Sequence, residues 1–307
     1  MNNLILGGAG FIGKHLAHRL LRTRQERVTI VDNLATGSID LSEFAEYKNL
    51  FKFVQADIST IDDKELLKLI KDHHRVFHLA GSVGVSYCDK NPQKTFMNNI
   101  ALINKLIPIF DKAKRHVIFS STSEIYGDGP FSEEDPAHIG SSSKTRWAYA
   151  TSKLATEFAI RASSFPYTIV RFFNVTGPGQ LPDYGMVLPR FVDAAKKGED
   201  ILVYGSGDQV RSFCHVADAV DSVIKVMDIN GEMFNIGNDD PITIEQLAQR
   251  VVDVSGSTSK VVKVPYDQVF TNRYVDIHYR VPNNSKLKAV TGYVPKYTLD
   301  DIIRDML

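Results

Sequence analysis

The sequence has little of several features that mark specialised classes of protein. Of its 307 residues only two are cysteines, Cys88 and Cys214. They match no metal-ligand or redox spacing, so we expect two buried thiols rather than a disulfide. Lys plus Arg number 36, as do Asp plus Glu, so no excess charge favours a nucleic acid or an anionic membrane as partner. No apolar run approaches the roughly 18 to 20 residues of a membrane span.

Targeting signals and repeats are also missing. No basic segment with a cleavage site follows Met1, so we expect a cytoplasmic protein. We find no internal repeat and no low-complexity segment. What remains is an ordinary globular chain, whose 43% hydrophobic content is enough for a substantial core.

Short apolar strands alternate with helical patterns from the first residue. The predicted strands are 2–7, 27–32, 51–55, 74–80, 114–121 and 167–173. The predicted helices between them are 11–23, 63–71, 94–113 and 148–163. This alternation predicts an α/β fold of the Rossmann type, a doubly wound parallel sheet with crossover helices.

The regular alternation stops after about residue 174. VTGPGQLPDYG is a turn-rich loop, the helical FVDAAKKG follows it, and YGSGDQ is a second turn cluster. A helix at 243–254, a strand at 261–265 and a helix at 298–306 are predicted for the tail. We therefore expect a Rossmann domain at 1–173, rejoined by about 210–237, and a smaller lobe formed by 174–209 and 238–307.

A glycine-rich stretch, GGAGFIG, joins the first predicted strand to the first predicted helix. Gly7, Gly10 and Gly13 permit a tight turn, let the backbone reach a pyrophosphate and allow close helix packing. The next strand ends in Asp32, where a carboxylate can hydrogen-bond a ribose diol and repel a 2′-phosphate. We therefore expect NAD rather than NADP, the alternative being an ordinary glycine-rich turn.

Two later strand ends add residues to the same edge of the predicted sheet. Asp57 and Ile58 follow the third strand, and HLAG at 78–81 follows the fourth. We interpret His78 as a core histidine and predict no metal site, because no second ligand stands at metal spacing. The candidate cofactor-binding residues are Gly7, Gly10, Phe11, Ile12, Gly13, Asp32, Asn33, Asp57, Ile58, Leu79, Ala80, Gly81, Tyr149 and Lys153.

Two further stretches carry candidate chemistry. SSTSEIYG at 120–127 places Glu124 just beyond the fifth predicted strand, at the edge where open α/β sheets bind ligands. WAYATSK places Tyr149 and Lys153 four residues apart, hence on one face of a predicted helix. A nearby ammonium lowers the pKa of a phenol, which can then act as a general base at an alcohol. A tyrosine and a lysine at this spacing also occur by chance on many helices, where they belong to a solvated surface and have no catalytic role.

Taken in order, GGAGFIG with Asp32, HLAG, SSTSEIYG, YATSK, RFFNVTGPG and VYGSGDQVRSF resemble the extended short-chain dehydrogenase/reductase family that modifies nucleotide sugars. The resemblance covers nearly the whole chain. It implies NAD in the Rossmann domain, a nucleotide sugar in the C-terminal lobe, and Thr122, Tyr149 and Lys153 as the catalytic hydroxyl, base and lysine. It also implies a homodimer formed through the helices at about 94–113 and 148–163.

The resemblance also bears on the reaction. Members begin by oxidising the sugar C4 hydroxyl to a ketone. The family's dehydratases resemble T-D-E where this chain has Thr122, Ser123 and Glu124, and a serine is a poor proton donor. The family's decarboxylases resemble T-S-E, so we expect catalytic roles for all three residues. Some decarboxylases also have a run resembling R-W-x-Y-x-x-S-K at 146–153.

These details favour a UDP-glucuronate decarboxylase, in which oxidation at C4 makes a β-keto acid that readily loses carbon dioxide. Arg211 resembles the arginine that decarboxylases place near the substrate carboxylate and diphosphate, but many epimerases share it. The loop after Gly177-Pro178 lacks a basic residue and resembles epimerase loops. A 4-epimerase, a C4 dehydrogenase that releases the keto sugar and a non-catalytic NAD-binding regulator therefore stay open.

The remaining candidates lie in the second half of the chain or outside the motifs. Asn174 is expected to contact the diphosphate or sugar, and the resemblance places the nucleobase beside the segment that begins at Val187. We interpret Arg171 as structural. The acidic run at 133–135 is expected to be a solvated loop.

Overall fold

A computed structural model of the chain describes residues 1–128, 131–182, 185–270 and 273–307. Asp183 and Tyr184 of the turn-rich loop lie outside the described residues. The strands are β1 (Asn2–Leu6), β2 (Arg27–Asp32), β3 (Phe51–Gln55), β4 (Arg75–His78), β5 (His116–Thr122), β6 (Tyr167–Phe172), β7 (Val175–Thr176), β8 (Ile201–Tyr204), β9 (Val210–Arg211), β10 (Cys214–His215), β11 (Glu232–Ile236), β12 (Ile242–Thr243), β13 (Val261–Val264) and β14 (Tyr279–Arg280).

Helices connect these strands and pack against the main sheet or in the C-terminal half. They are α1 (Phe11–Arg24), α2 (Asp63–Lys71), α3 (Val85–Lys90), α4 (Pro92–Ala113), α5 (Trp147–Arg161), α6 (Val187–Lys197), α7 (Val216–Val226), α8 (Ile244–Ser255), α9 (Ser285–Thr291) and α10 (Leu299–Met306). Short 3-10 turns at Leu41–Tyr47, Ser123–Tyr126 and Tyr266–Gln268 complete the regular structure of the described ranges.

The main sheet runs in the order β11-β6-β5-β4-β1-β2-β3, and every neighbouring pair is parallel. The predicted α/β doubly wound sheet is thus confirmed, with strand ends within about two residues of the expected ones. The sequence prediction missed β11, which continues the sheet beyond β6, and the α7 helix before it. Apolar residues at helical spacing in VADAVDSVIKV were the available signal for α7.

The sheet order reverses between β1 and β4. Leu6 at the end of β1 pairs with His78 at the end of β4, so the loops after these two strands leave the sheet side by side. Open α/β sheets bind ligands in the crevice at this point, because the crossover helices diverge to opposite faces. The two loops carry the glycine-rich stretch and Leu79-Ala80-Gly81.

A second apolar core lies in the C-terminal half. Leu188 and Phe191 of α6 pack with Ile201 of β8, Leu247 of α8 and Ile302 of α10. The paired β8 and β13 strands form a small parallel sheet beside these helices. The division of the chain at 173, 210 and 237 stays a prediction.

Three smaller expectations can be compared with the structure. Cys88 and Cys214 are free and buried, as expected. The acidic run is not wholly solvated, because Glu133 is buried and its Oε1 accepts the main-chain N–H of Asn235 at 2.8 Å. Within the described ranges, no helix combines the length and the hydropathy needed to cross a bilayer.

Candidate functional site

Gly7 brings the loop after β1 against the loop after β4. Its φ of +80° lies in the left-handed region, and a Cβ atom at this position would lie 2.5 Å from the main-chain nitrogen of Ala80. Only glycine satisfies both conditions without moving the neighbouring strand end. The stretch Gly7–Gly13, which we call the glycine cradle, is therefore fixed by main-chain packing.

The glycine cradle leads into the N-terminus of α1. Gly10 is the N-cap of this helix and offers no side chain to its first N–H groups. A Cβ on Gly13 would lie 2.6 Å from the Cα of Gly8, so the helix packs directly on the turn. An uncapped helix N-terminus approached closely by main chain suits an anionic group such as a pyrophosphate.

Asp32, at the end of β2, is held beside the glycine cradle. Its Oδ2 accepts the N–H of Ala9 at 3.0 Å and its Oδ1 accepts the N–H of Leu34 at 2.8 Å. Asn33 donates to Oδ2 of Asp57 at 2.9 Å, which ties the ends of β2 and β3 together. The donors and acceptors along this edge fit a dinucleotide with a free ribose diol.

The other predicted cofactor residues lie around the same edge. Ile58 is buried, Gly81 is exposed, and the remaining residues are half-buried, namely Phe11, Ile12, Leu79 and Ala80. Each follows a strand end or opens α1, so the fold gathers the predicted set at one crevice. Their individual contacts with a cofactor stay predictions.

Thr122 and Tyr149 meet at the end of β5. Thr122 ends the strand, and its Oγ1 accepts the N–H of Glu124 at 3.2 Å. Its side chain also hydrogen-bonds Tyr149. Burial raises the pKa of Tyr149, and the negative charge of Glu124 raises it further. The expectation of a lowered pKa is thus wrong for this structure, because desolvation outweighs the favourable groups.

Lys153 lies one turn after Tyr149 on α5. It is buried, and its Nζ donates to the main-chain oxygen of Ser120 at 2.8 Å. Burial lowers the pKa of Lys153 to about 8, although Glu157 acts to raise it. A lysine with this pKa titrates close to neutral pH, which is typical of a functional rather than a solvated lysine.

Asn99 of α4 also supports this region and was missed by the sequence prediction. Its Oδ1 accepts the N–H of Ser82 at 2.8 Å, and its Nδ2 donates to Oγ of Ser152 at 3.1 Å. Ser152 in turn donates to the main-chain oxygen of Tyr149 at 2.8 Å. Asn99 stands at helical spacing with the buried Ile103 and Leu106, and a polar residue on an apolar face was the available signal.

Glu124 is held by two buried arginines. Its Oε1 accepts from Nη2 of Arg146 at 2.7 Å and also from Nη1 of Arg280. Burial alone would raise the pKa of Glu124, but the two guanidinium groups outweigh it and lower that pKa. Glu124 is therefore an ionised carboxylate rather than a proton donor. Glu124 is buried, so it is not a solvated surface carboxylate.

Asp276 extends this arrangement to Arg211. Its Oδ1 lies 3.0 Å from Nη1 of Arg146 and 3.0 Å from Nη2 of Arg211. Burial and the neighbouring charge of Arg280 together lower the pKa of Arg211 to about 10. We call Glu124, Arg146, Arg211, Asp276 and Arg280 the charge cluster. Three cations face two anions, so the cluster has a formal excess of one positive charge.

Asn174 orients Arg280. Its φ is +37°, its Oδ1 accepts from Nη2 of Arg280 at 2.6 Å, and its Nδ2 donates to the main-chain oxygen of Ser212 at 2.9 Å. The predicted substrate residues Asn174 and Arg211 thus reach the same cluster from different elements. Val187 instead opens α6 and packs against the C-terminal apolar core.

The roles of Arg146, Asp276 and Arg280 in the charge cluster were missed by the sequence prediction. Arg146 was noted only as part of a run resembling decarboxylases, although it stands three residues before Tyr149 on the same helical turn. Asp276 and Arg280 lie in a segment without a recognised motif. Their sequence separation from Glu124, 156 residues for Arg280, hides the contact from any local pattern.

Two interpretations of single residues can also be compared with the structure. His78 is buried and burial lowers its pKa to about 3, so it is a neutral core histidine. Arg171 is buried and its guanidinium forms two hydrogen bonds with Glu157, at 2.9 and 2.6 Å. The structural interpretation of Arg171 is confirmed. In the described part of the chain, no three His, Cys, Asp or Glu side chains are grouped to hold a metal ion.

Comparisons with known proteins agree with this geometry. Residues 3–237 match the model of the NAD dependent epimerase/dehydratase family. The chain is 38% identical to UDP-N-acetyl-alpha-D-glucosaminuronate decarboxylase of Bacillus cytotoxicus, over 99% of this chain and 96% of that protein. It is 30% identical to UDP-glucuronic acid decarboxylase 3 of Arabidopsis thaliana, over 97% of this chain and 86% of that protein.

A solved structure gives the same result for the fold. UDP-glucose 4-epimerase of Thermotoga maritima, crystallised with UDP-glucose, superposes with a TM-score of 0.83 at 29% identity. The alignment covers 99% of this chain and 96% of the epimerase chain.

Proposed function

Because the chain belongs to the NAD-dependent epimerase/dehydratase family, we propose that it is a UDP-hexuronate decarboxylase that acts by transient oxidation at C4. The observation that carries this proposal is that Arg146 and Arg280 lie side by side, both bound to Glu124, close to Tyr149. Two buried guanidinium groups recognise a planar carboxylate, and a neutral hexose offers them no such partner.

The oxidation half of the reaction is assigned to the end of β5 and to α5. Bound NAD would supply the hydride acceptor for C4 of the sugar. We assign to Tyr149 the removal of the 4-hydroxyl proton. Burial raises the pKa of Tyr149, so this role requires its phenolate to be stabilised, and the hydrogen bond with Thr122 and the positive charge of Arg280 both act in that direction. The Lys153 ammonium supplies positive charge near the phenolic oxygen and a donor for the ribose. These roles follow the family's motif at the corresponding positions.

The decarboxylation half is assigned to the charge cluster. A ketone at C4 stands β to the carboxylate carried by C5, so the C5–C6 bond breaks to release carbon dioxide and its electrons delocalise into the ketone as an enolate. A proton is then added at C5, and return of the hydride to C4 with a proton on its oxygen restores the hydroxyl. In this proposal Arg146 and Arg280 hold the carboxylate, while Glu124 keeps both guanidinium groups aimed at the site. Ser123 stands where a dehydratase has a carboxylic acid, so loss of water is not supported.

Two uronates are candidates for the sugar. The relative at 38% identity is named for an N-acetylated glucosaminuronate, and the relative at 30% identity for glucuronic acid. Both sugars carry the carboxylate that the arginine pair would recognise. A 4-epimerase is the second candidate function, since the Thermotoga structure of the same fold has that name.

The test is direct incubation of the protein with NAD and one of three UDP-sugars. We expect UDP-glucuronate or UDP-N-acetylglucosaminuronate to lose carbon dioxide, with the product identified by mass spectrometry, and UDP-glucose to keep its mass. If neither uronate loses carbon dioxide, the decarboxylase proposal is wrong. An unchanged mass with an inverted C4 centre by NMR would identify an epimerase.

The family resemblance also supports an assembly. We propose a homodimer in the cytoplasm, formed through α4 and α5. Met97 on α4 and Phe158 on α5 are 57% and 69% exposed, which is unusual for large apolar side chains on packed helices. Two free buried thiols suit a reducing compartment. Analytical ultracentrifugation of the protein and of a Phe158→Glu variant would test the dimer.

A further inference from the structure

A buried ion pair lies one helical turn beyond Lys153. Both oxygens of Glu157 accept from Arg171, at 2.9 Å from Nε and 2.6 Å from Nη2. The Ser121 hydroxyl also donates to Oε1. Glu157 and Arg171 are 3% and 5% exposed, so water does not screen either charge appreciably.

Glu157 and Lys153 share a face of α5. They stand four residues apart, and both reach the end of β5, where Lys153 donates to Ser120 and Glu157 accepts from Ser121. A carboxylate and an ammonium at this spacing attract each other, and the attraction is strong where both are desolvated. The two hydrogen bonds from Arg171 fix the position of the carboxylate.

The other groups near Lys153 offer no comparable charge. His78 on β4 is neutral at physiological pH, because burial lowers its pKa to about 3. Cys88 on α3 is a neutral thiol, because burial raises its pKa to about 11. Burial also keeps Tyr149 on α5 protonated by raising its pKa. The Phe119 ring of β5 lies 4.9 Å from Nζ.

We propose that Glu157, held by Arg171, is a positioning residue that keeps Lys153 in its ammonium form at the end of β5. The inference rests on the proposed function for the role of Lys153 but concerns a property of the protein alone. Glu157 touches no reacting atom in this account. It acts through the lysine, which must be charged to favour the Tyr149 phenolate.

The test is an NMR titration of Lys153 in protein labelled with ¹³C-lysine, with its signal assigned by a Lys153→Arg variant. We expect wild-type Lys153 to titrate near pH 8. In Glu157→Gln the titration moves to lower pH by about one unit or more, because an opposite charge is removed from a buried site. The alkaline limb of the turnover profile moves by the same amount, since the ammonium is lost as pH rises.

A matched variant separates this role from a structural one. Arg171→Lys keeps both charges but loses the planar fork of hydrogen bonds, so we expect lower stability without a large change in the Lys153 titration. The double variant Glu157→Gln with Arg171→Met removes the pair without leaving an unpaired charge, which protects folding if the single variant fails. We expect its Lys153 to titrate below the wild type.

The NMR titration tests the role of Glu157, and its result does not depend on which reaction the protein catalyses. If Lys153 titrates as in the wild type in a folded Glu157 variant, Glu157 is structural and the inference is wrong. Failure of the wild-type protein to release carbon dioxide would reject the decarboxylase proposal but leave the NMR result standing.

Discussion

The glycine cradle follows β1 and Glu124 of the charge cluster follows β5, so both lie at the carboxyl edge of one parallel sheet, but they are built by different means. The cradle is one continuous stretch, and its contacts are between main-chain atoms, such as Gly7 against Ala80. The cluster consists of side chains from residues that are far apart in sequence, such as Glu124 and Arg280. The first depends on the absence of side chains, and the second depends on their charge.

This difference determines how each region can fail. A dinucleotide is held by a backbone shape that many sequences could support, provided that no Cβ intrudes. In the proposed function the uronate is recognised by guanidinium groups, which must be present, ionised and correctly oriented. Changes in the cradle should therefore affect cofactor affinity and stability, whereas changes in the cluster should affect the choice of sugar.

The largest expected effect lies between the two regions. Tyr149→Phe keeps the ring and removes the hydroxyl, so we expect turnover to fall by roughly 10³-fold, the size of a lost general base. Affinity for NAD and for the UDP-sugar should change little, as measured by calorimetry. Unchanged turnover on a verified substrate would show that the acid-base assignment is wrong.

Arg280→Gln should break the cluster without affecting the cradle. It removes one of the two cations on Glu124 and frees Asn174. We expect kcat/KM for the uronate to fall roughly 100-fold, which corresponds to about 2.7 kcal/mol, with NAD affinity unchanged.

Arg250→Gln is the control for this change. Arg250 also forms a bidentate pair, with Asp300, but its side chain is about half exposed. Exposed pairs contribute little, so turnover should stay at the wild-type level. Equal losses in both variants would mean that the charge cluster has no special role.

Gly7→Ala should break the cradle and leave the cluster intact. The new Cβ would collide with Ala80, and alanine would have to adopt the left-handed backbone conformation of Gly7. We therefore expect the free energy of unfolding to fall by about 1–3 kcal/mol and NAD affinity to decrease. UDP affinity should be retained. Thermal melting with and without NAD measures both effects.

Gly231→Ala isolates the close approach from the backbone strain. Gly231 has φ of +79°, but no atom lies within 4 Å of its Cβ position. The Gly231→Ala protein should lose stability through backbone strain alone and keep its affinity for NAD. If Gly231→Ala weakens NAD binding as much as Gly7→Ala does, contact with Ala80 is not what shapes the site.

The same difference explains what could be predicted from the sequence. The cradle, Asp32 and the pair Tyr149 and Lys153 could be proposed from the sequence because each motif spans few residues, so periodicity and spacing reveal it. Arg280 and Asp276 were missed because their contacts with Glu124 and Arg146 depend on how the C-terminal segment returns to β5. The pKa of Tyr149 was predicted in the wrong direction, since burial cannot be read from an i,i+4 spacing.

The most direct test of the central claim uses a UDP-uronate with deuterium at C4 of the sugar. We expect carbon dioxide to be released and deuterium to leave C4 before or with that release, and then to return to C4 of the product or to stay on the nicotinamide. Release that is as fast from a sugar blocked at C4 by a fluorine atom would contradict oxidation as the first step. Transfer of deuterium with the carboxylate intact would contradict decarboxylation.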